Sequence, residues 1–127
     1  MADQRGRLVE FIAKLNRMTQ EGRIKWQLYQ PPEYLTSGTD DIYPFFWGAK
    51  VDDKKLGLYV QRHITSDFFR INKYWEEKTV LAFCQDDWTP VWEFPQIAGI
   101  NELRSSVERQ SVGVDSFIDR LLSEENN

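Results

Sequence analysis

His63 is the only histidine in this chain of 127 residues, and histidine is the residue type most suited to acid–base chemistry near neutral pH. It could act as a general base or bind a metal ion. A zinc-type site needs several cysteine or histidine ligands, and the chain has one cysteine and no second histidine. The motifs of serine hydrolases, zinc proteases and phosphate-binding loops are also missing. The sequence therefore predicts a surface histidine and no catalytic, cofactor or metal site.

Cys84 is the one residue that could serve as a thiol nucleophile. It alternates with Val80 and Ala82 along one face of a predicted strand, a pattern typical of a buried cysteine. A reactive thiolate needs a nearby cation, whereas the local charges are Asp86 and Asp87, which would raise the pKa of the thiol. We therefore predict a structural role for this cysteine.

Four pairs of adjacent carboxylates could bind a divalent cation. The alternating oxygen ligands and the glycine of a calcium loop do not occur around them. We predict that all four pairs lie in turns or loops, where the charged side chains are solvated and discourage association between sheet edges. The pairs are Asp40-Asp41, Asp52-Asp53, Glu76-Glu77 and Asp86-Asp87.

The aromatic residues are the strongest functional signal in the sequence, with eight Phe, five Trp and five Tyr. Successive side chains of a strand point to opposite faces, so the four rings within residues 43–47 cannot all face one core. Either this strand is covered on both faces or some rings are exposed, and exposed rings are typical anchors of protein interfaces. The predicted partner-binding residues are Tyr43, Phe45, Trp47, Phe68, Phe69, Tyr74 and Trp75.

The elements that would position these residues follow from the spacing of apolar side chains. A helical period over residues 4–21 predicts an amphipathic helix that ends at Gly22. Alternation then predicts strands, separated by polar turns and by a long loop over residues 30–41. The predicted strands cover residues 24–28, 43–51, 56–64, 79–86 and 91–94, with 68–74 either a further strand or a packed loop.

Two helical segments follow, one from Ile100 to beyond Val107 and one carrying Phe117, Ile118, Leu121 and Leu122, with Gly113 between them. The turns between the strands are too short for crossover helices, so the sheet should be antiparallel. The sequence therefore predicts a single α+β domain over residues 1–127. Its order is an N-terminal helix, an antiparallel meander of four to five strands and two C-terminal helices packed on one sheet face.

The step Gly22-Arg23-Ile24-Lys25-Trp26, directly after an amphipathic helix, and the closing run from Leu103 to Leu122 resemble small bacterial single-domain proteins of unknown function. The resemblance leaves residues 30–78 unmatched, and it implies a fold rather than an activity. In those proteins a helix leads through a G-x-I-x-W step into a meander and then out through two helices. The size, acidity and order of elements are also similar to secretion-system chaperones, which are dimers that hold extended effector segments.

The charge and hydropathy of the sequence limit the kinds of partner that the chain can bind and the cellular compartment in which it is expected. Sixteen Lys and Arg against 20 Asp and Glu give a net charge of -4, which opposes binding to phosphate backbones. No apolar run approaches the length of a membrane helix, and charges within the first 20 residues argue against a signal peptide. With a lone cysteine as well, the sequence predicts a cytoplasmic protein that binds neither membranes nor nucleic acid.

The leading functional prediction is a protein–protein interaction or chaperone-like adaptor module without catalytic activity, which binds another protein or a second copy of itself. Two alternatives stay open. The acidic last third, residues 80–127, would suit an inhibitor or decoy of a nucleic-acid-binding enzyme. A small enzyme could use His63 with scattered carboxylates, provided that His63 lines a polar pocket.

Overall fold

A computed structural model describes residues 4–66 and 72–125, with the side chains of the last helix described through residue 124. It contains four helices and a five-stranded sheet in these ranges. In chain order they are α1 (Gln4–Gln20), β1 (Gln27–Tyr29), α2 (Glu33–Thr36), β2 (Ile42–Val51), β3 (Lys54–Ser66), β4 (Lys73–Cys84), β5 (Pro90–Glu93), α3 (Ile100–Val112) and α4 (Val114–Glu125).

The sheet is an antiparallel meander in the order β1-β2-β3-β4-β5, so each strand pairs with its neighbours in the chain. This confirms the predicted α+β architecture of an N-terminal helix, an antiparallel sheet and two C-terminal helices. The β2–β3 turn at Asp52 and Asp53 is short, and Asp52 takes the left-handed conformation with φ 54° that such a tight turn requires. Short turns of this kind leave no room for crossover helices, which is why the sheet is antiparallel.

The main core lies between one face of the sheet and helices α1 and α3, and this face is called the helix side. It receives the even-numbered residues of β3, such as Leu56 and Leu58, and the apolar stripes of the two helices. Trp26 joins the layers, because its indole Nε1–H donates to Thr19 Oγ1 at 3.0 Å and its backbone N–H donates to Gln110 Oε1 at 2.8 Å. The segment between α1 and β1 is thereby tied to both helices.

The opposite face of the sheet, called the open side, carries a smaller core without a long helix. Phe46 and Tyr59 are fully buried there, and Leu35 of α2 covers them from the long loop. The ring of Trp88 lies directly on the backbone of Gly48, where an added Cβ would come within 2.6 Å of it. Strand β2 is thus covered on both faces at its centre, as one of the two sequence interpretations required.

Several local expectations differ from the structure. The predicted loop over 30–41 contains the short helix α2. Strand β1 has only the residues Gln27–Tyr29, so it begins later in the chain than the predicted strand over 24–28. Residues 67–71 lie outside the described residues, so the interpretation of 68–74 is tested only from Asn72 onward, where β4 begins at Lys73. The Glu76-Glu77 pair was predicted in a turn, and this was wrong, because β4 extends back past it to pair with β3.

Helix α4 forms where the period predicted it but does not cover the sheet. Its described side chains are exposed, apart from half-buried Val114 at its first position. The expectation that both C-terminal helices pack on one sheet face therefore holds for α3 alone. No helix in the described parts of the chain is both long and apolar enough to cross a membrane.

Candidate functional site

The rings that the sequence predicted as partner-binding residues separate into three environments. Trp47 is 3% exposed and belongs to the main core, so its ring is not available at the surface. Phe45 is partly exposed and stacks on Trp47 with 5.3 Å between ring centroids, and Tyr43 is half-buried against Tyr59 on the open side. Phe68 and Phe69 lie outside the described residues.

Tyr74 and Trp75 remain, and they are about half exposed, at 52% and 49%. They are neighbours on β4 and so lie on opposite faces. Both belong to the part of the β3–β4 hairpin that extends past the helices, where residues 61–66 pair with 73–78. This two-stranded extension is called the ribbon, and its described side chains are exposed or half-buried.

An apolar patch lies on the helix side of the sheet where the ribbon begins. Ile64 pairs with Trp75, Ile42 pairs with Arg62, and Phe45 pairs with Val60, so all of these side chains share one face. The patch, called the ribbon patch, consists of Ile42, Phe45, Ile64 and Trp75, each between 36% and 49% exposed. It brings together two of the predicted rings, Phe45 and Trp75, with two isoleucines that sequence reasoning did not single out.

Charged residues also lie within the ribbon patch, because the Arg62–Glu77 pair lies between Phe45 and the Ile64–Trp75 pair in the register. Glu77 of β4 accepts hydrogen bonds from Arg104 of α3 at 2.6 Å and from Arg62 of β3 at 3.3 Å. The hydrogen bond from the Arg104 guanidinium is the main reason why the pKa of Glu77 lies below its usual value, and Arg62 lowers it further. Lys73 lies on the same face by register, because its partner Ser66 alternates with Ile64.

A second apolar surface is the stripe of helix α4. Phe117, Ile118, Leu121 and Leu122 are 42–54% exposed and recur at the spacing that places them on one side of a helix. Sequence reasoning assigned this stripe to the sheet and missed it as a functional surface. Gly113 marked the break between the helices in the sequence, but only the structure shows that this single residue separates them, which is shorter than the two to five residues that an antiparallel helix hairpin needs.

The position of α4 follows from that short connection. Gly113 has φ 75° and its backbone N–H donates to Arg109 O and Gln110 O, which ends α3 with a left-handed cap. Arg109 then donates to Asp115 Oδ1 at 2.6 Å and holds the first turn of α4 beside the end of α3. The same first turn borders a cavity of about 790 Å³ together with the end of α1. Helix α4 therefore leaves the domain near the end of α1 and is not laid along the sheet.

A polar cavity of about 410 Å³ lies on the open side of the ribbon, and His63 borders it. Asp41, from the long loop, contacts His63 Nδ1 through Oδ1 at 2.6 Å and accepts a hydrogen bond from Gln61 Nε2 through Oδ2 at 2.6 Å. These two contacts, with the one from His63 the larger, lower the pKa of Asp41 below its usual value. Sequence reasoning named His63 but did not connect it with Asp41, because the two residues are brought together only by the loop closing over the sheet.

The described residues at the cavity offer acid–base groups, with no built nucleophile or metal centre among them. Its border consists of Asp41, Gln61, His63, Glu76, Glu77 and Lys78, without a serine or cysteine. Among the residues that the structure describes, no group of three or more histidine, cysteine, aspartate or glutamate side chains is arranged to hold a metal ion.

Cys84 is half-buried on the open side, far along β4 from this cavity. Burial is the main reason why its thiol pKa rises to about 11, and the negative charge of Asp87 raises it further, as the sequence predicted. At neutral pH the residue is therefore a protonated thiol with little nucleophilic character.

Comparison of the chain with protein-family models, with curated protein sequences and with solved structures finds no match.

Proposed function

We propose that this chain is a cytoplasmic protein–protein interaction module of adaptor or chaperone-like type, without catalytic activity. The observation that carries the proposal is the apolar stripe of α4. A helix of similar length, α3, buries Ile100, Leu103 and Val107, whereas α4 exposes all four of its large apolar side chains. Amphipathic helices are stabilised mainly by burying their apolar face, so α4 is best explained as one half of an interface.

The ribbon patch supports the same function. Exposed rings flanked by arginine are typical of interface centres, and Trp75 and Phe45 lie on one face with Arg62. Four large apolar side chains in the patch and four in α4 form two surfaces that a chain acting alone would leave in water. The inhibitor of a nucleic-acid-binding enzyme stays a prediction from the acidic last third of the sequence.

Affinity capture with a matched pair of variants tests the proposal. The tagged full chain is expressed in its native host, and the co-eluting proteins are quantified by mass spectrometry. We expect the wild type to retain a stoichiometric partner, either another protein or an untagged copy. The Phe117→Ser, Leu121→Ser double variant should reduce its recovery at least tenfold, because loss of two central apolar anchors costs about 1.4 kcal/mol or more.

The control is Val91→Ser, which changes an exposed apolar residue of β5 at a distance from both surfaces. It should leave the recovery unchanged, and circular dichroism should show that all variants keep the fold. Equal recovery by the wild type and by the α4 variant would contradict the proposal.

A second candidate function is a small enzyme, and the contact between Asp41 and His63 favours it. A carboxylate that holds one imidazole nitrogen leaves the other nitrogen to act as a general base on water. Hydrolysis of p-nitrophenyl acetate provides a direct probe. An exposed histidine has some activity toward this ester without help, so the informative variant is Asp41→Asn. If the pair acts as a catalytic unit, both Asp41→Asn and His63→Gln lower the rate at least tenfold. An unchanged rate in Asp41→Asn would rule out that unit.

A further inference from the structure

We infer that the ribbon patch receives helix α4 of a second copy of this chain. In the resulting dimer each copy supplies its last helix to the other copy's sheet. The inference rests on the proposed function and names the partner for the same two surfaces.

The first step is that, within residues 4–66 and 72–125, no helix covers the helix side of the sheet beyond α3. Helix α3 covers the sheet as far as Thr79, which is buried, and reaches Glu77 through Arg104. Beyond that point the same face continues into the ribbon patch with Ile64 and Trp75 exposed. A sheet face that is apolar and next to a packed helix is the surface on which a further helix would lie.

The second step is that this chain's own α4 is poorly placed to cover that face. To lie beside α3 on the same sheet, α4 would have to turn back through a helix hairpin. Such hairpins use connections of two to five residues, and here Gly113 alone separates the helices. The contact between Arg109 and Asp115 instead holds the first turn of α4 at the end of α3. The ribbon patch and the unpartnered helix therefore belong to different copies.

The third step is the match in chemistry. In a helical projection the stripe of α4 is bordered on one side by Asp119 and by Asp115, which is paired with Arg109, and on the other by Glu124 and Arg120. Its one described cation, Arg120, lies over the ring of Phe117. The helix is therefore an apolar surface with an acidic border.

The ribbon patch has the opposite charge. Three cations, Arg62, Lys73 and Arg104, lie on or beside its face against two carboxylates. Arg62 and Arg104 share Glu77, and Arg104 also contacts Glu108 at 3.3 Å, so the local charge is net positive by one. An acidic amphipathic helix and an apolar patch with a basic border attract each other and favour this register over a contact between two acidic α4 helices.

The fourth step is the size and closure of the contact. A two-fold axis would apply the same contact twice, so that the dimer closes without an unused surface. Four large apolar side chains on each side of each contact would together bury an area on the order of the roughly 1,600 Å² of a standard stable interface. A single contact would be about half of that, so the symmetric pair is the arrangement that gives stable association.

Sedimentation equilibrium of the full chain with three variants tests the inference. The wild type should be a dimer at micromolar concentration. The α4 variant (Phe117→Ser, Leu121→Ser) and the ribbon variant (Ile64→Ser, Trp75→Ser) should each raise the dimer dissociation constant at least tenfold. The control Val91→Ser should leave it unchanged. All of the substituted side chains are substantially exposed, so the variants should keep the wild-type circular dichroism spectrum.

Mixing the two variants is the decisive measurement. The α4 variant keeps an intact ribbon patch and the ribbon variant keeps an intact α4, so a mixed dimer has one intact contact and one contact that is altered on both sides. The mixture should therefore associate more weakly than the wild type but more tightly than either variant alone. A ribbon variant that still dimerises would show that α4 pairs with α4, and this would overturn the inference.

A monomeric wild type at about 100 µM would also overturn it. If the wild type were monomeric but captured another protein that the α4 variant did not capture, the proposed function would stand, and that protein would be the partner of α4. If the α4 variant changed neither self-association nor capture, both proposals would fail.

Discussion

Glu77 connects three elements of the fold through its carboxylate. It lies on β4 at the edge of the covered sheet, and its two carboxylate oxygens accept from Arg104 of α3 and Arg62 of β3. The residue therefore ties the helix layer to the base of the ribbon. Asp41 has a similar role on the open side, where it joins the long loop to His63 and Gln61 of β3.

A pH titration of stability should reveal the contribution of Glu77. Its pKa is lowered in the folded chain, chiefly by the hydrogen bond from Arg104. A carboxylate with a lowered folded pKa stabilises the fold above its ordinary pKa, and that contribution is lost as the pH falls through the folded pKa. We expect Glu77→Gln to lower the free energy of unfolding at pH 7 by about 0.5–1 kcal/mol, since the pair is partly exposed.

The difference between the wild type and Glu77→Gln should shrink as the pH falls below 4.5, the ordinary pKa of a glutamate, and through the lower folded pKa, as measured by urea unfolding at several pH values. The adjacent carboxylate on the opposite face of the strand supplies the control, because Glu76→Gln removes one charge without touching Arg104. A difference for Glu77→Gln that does not vary with pH would argue against a role for its ionised form.

Helices α3 and α4 contribute differently to the stability of the domain, although they have similar lengths and both carry an apolar stripe. Helix α3 has Leu103 and Val107 fully buried between α1 and the sheet. Helix α4 begins one residue later and buries none of its large apolar side chains. The stability of the monomer should therefore depend on α3 and not on α4.

Truncation separates the two helices. A chain that ends at Gly113 should keep a cooperative unfolding transition, with a free energy of unfolding within about 0.5 kcal/mol of the monomeric full chain. A chain that ends at Ser106 also loses the fully buried Val107 and should be destabilised by more than about 2 kcal/mol. Urea unfolding followed by circular dichroism, at a concentration where the chains are monomeric, measures both effects. A large loss in the first truncation would mean that α4 supports the domain directly.

The whole molecule is a sheet with unequal layers. The helix side is covered by α1 and α3, while in the part of the chain that the structure describes Leu35 and Trp88 cover the centre of the open side. Two parts extend from this body, the ribbon and α4, and each carries exposed apolar side chains. Their borders differ in sign, basic on the ribbon and acidic on α4. Two exposed apolar surfaces with borders of opposite charge suit an assembly of chains better than a monomer. His63, the residue of the candidate enzymatic site, lies on the other face of the same ribbon.

Most elements of the fold could be predicted from the sequence because they depend on local periodicity. The spacing of Leu8, Ile12 and Leu15 predicts a helix wherever the chain lies, and the alternation through Leu56, Leu58 and Val60 predicts a strand. The alternation also predicted that Cys84, Ala82 and Val80 share one face, and the register confirms it. The antiparallel order follows from turn length, which is also local.

The candidate surfaces could be predicted only in part. An excess of rings indicated that some would be exposed, but the exposed fraction of each ring depends on residues far away in the chain. Trp47 is covered by α1 and α3, whereas Trp75 lies beyond the reach of Arg104. The pairing of Asp41 with His63 likewise required the loop to close over β3.

The sequence by itself therefore determined the long helices, most of each main strand, the alternation of side chains within those strands and the excess of aromatic residues. Only the tertiary structure decided that β3 and β4 extend past the helices, that Trp88 covers Gly48 and that α4 stays off its own sheet. The physical reason is that periodicity sets the direction of a side chain relative to its own element. Its burial depends on whether a distant segment has the length and connection to reach it, as Gly113 shows for α4.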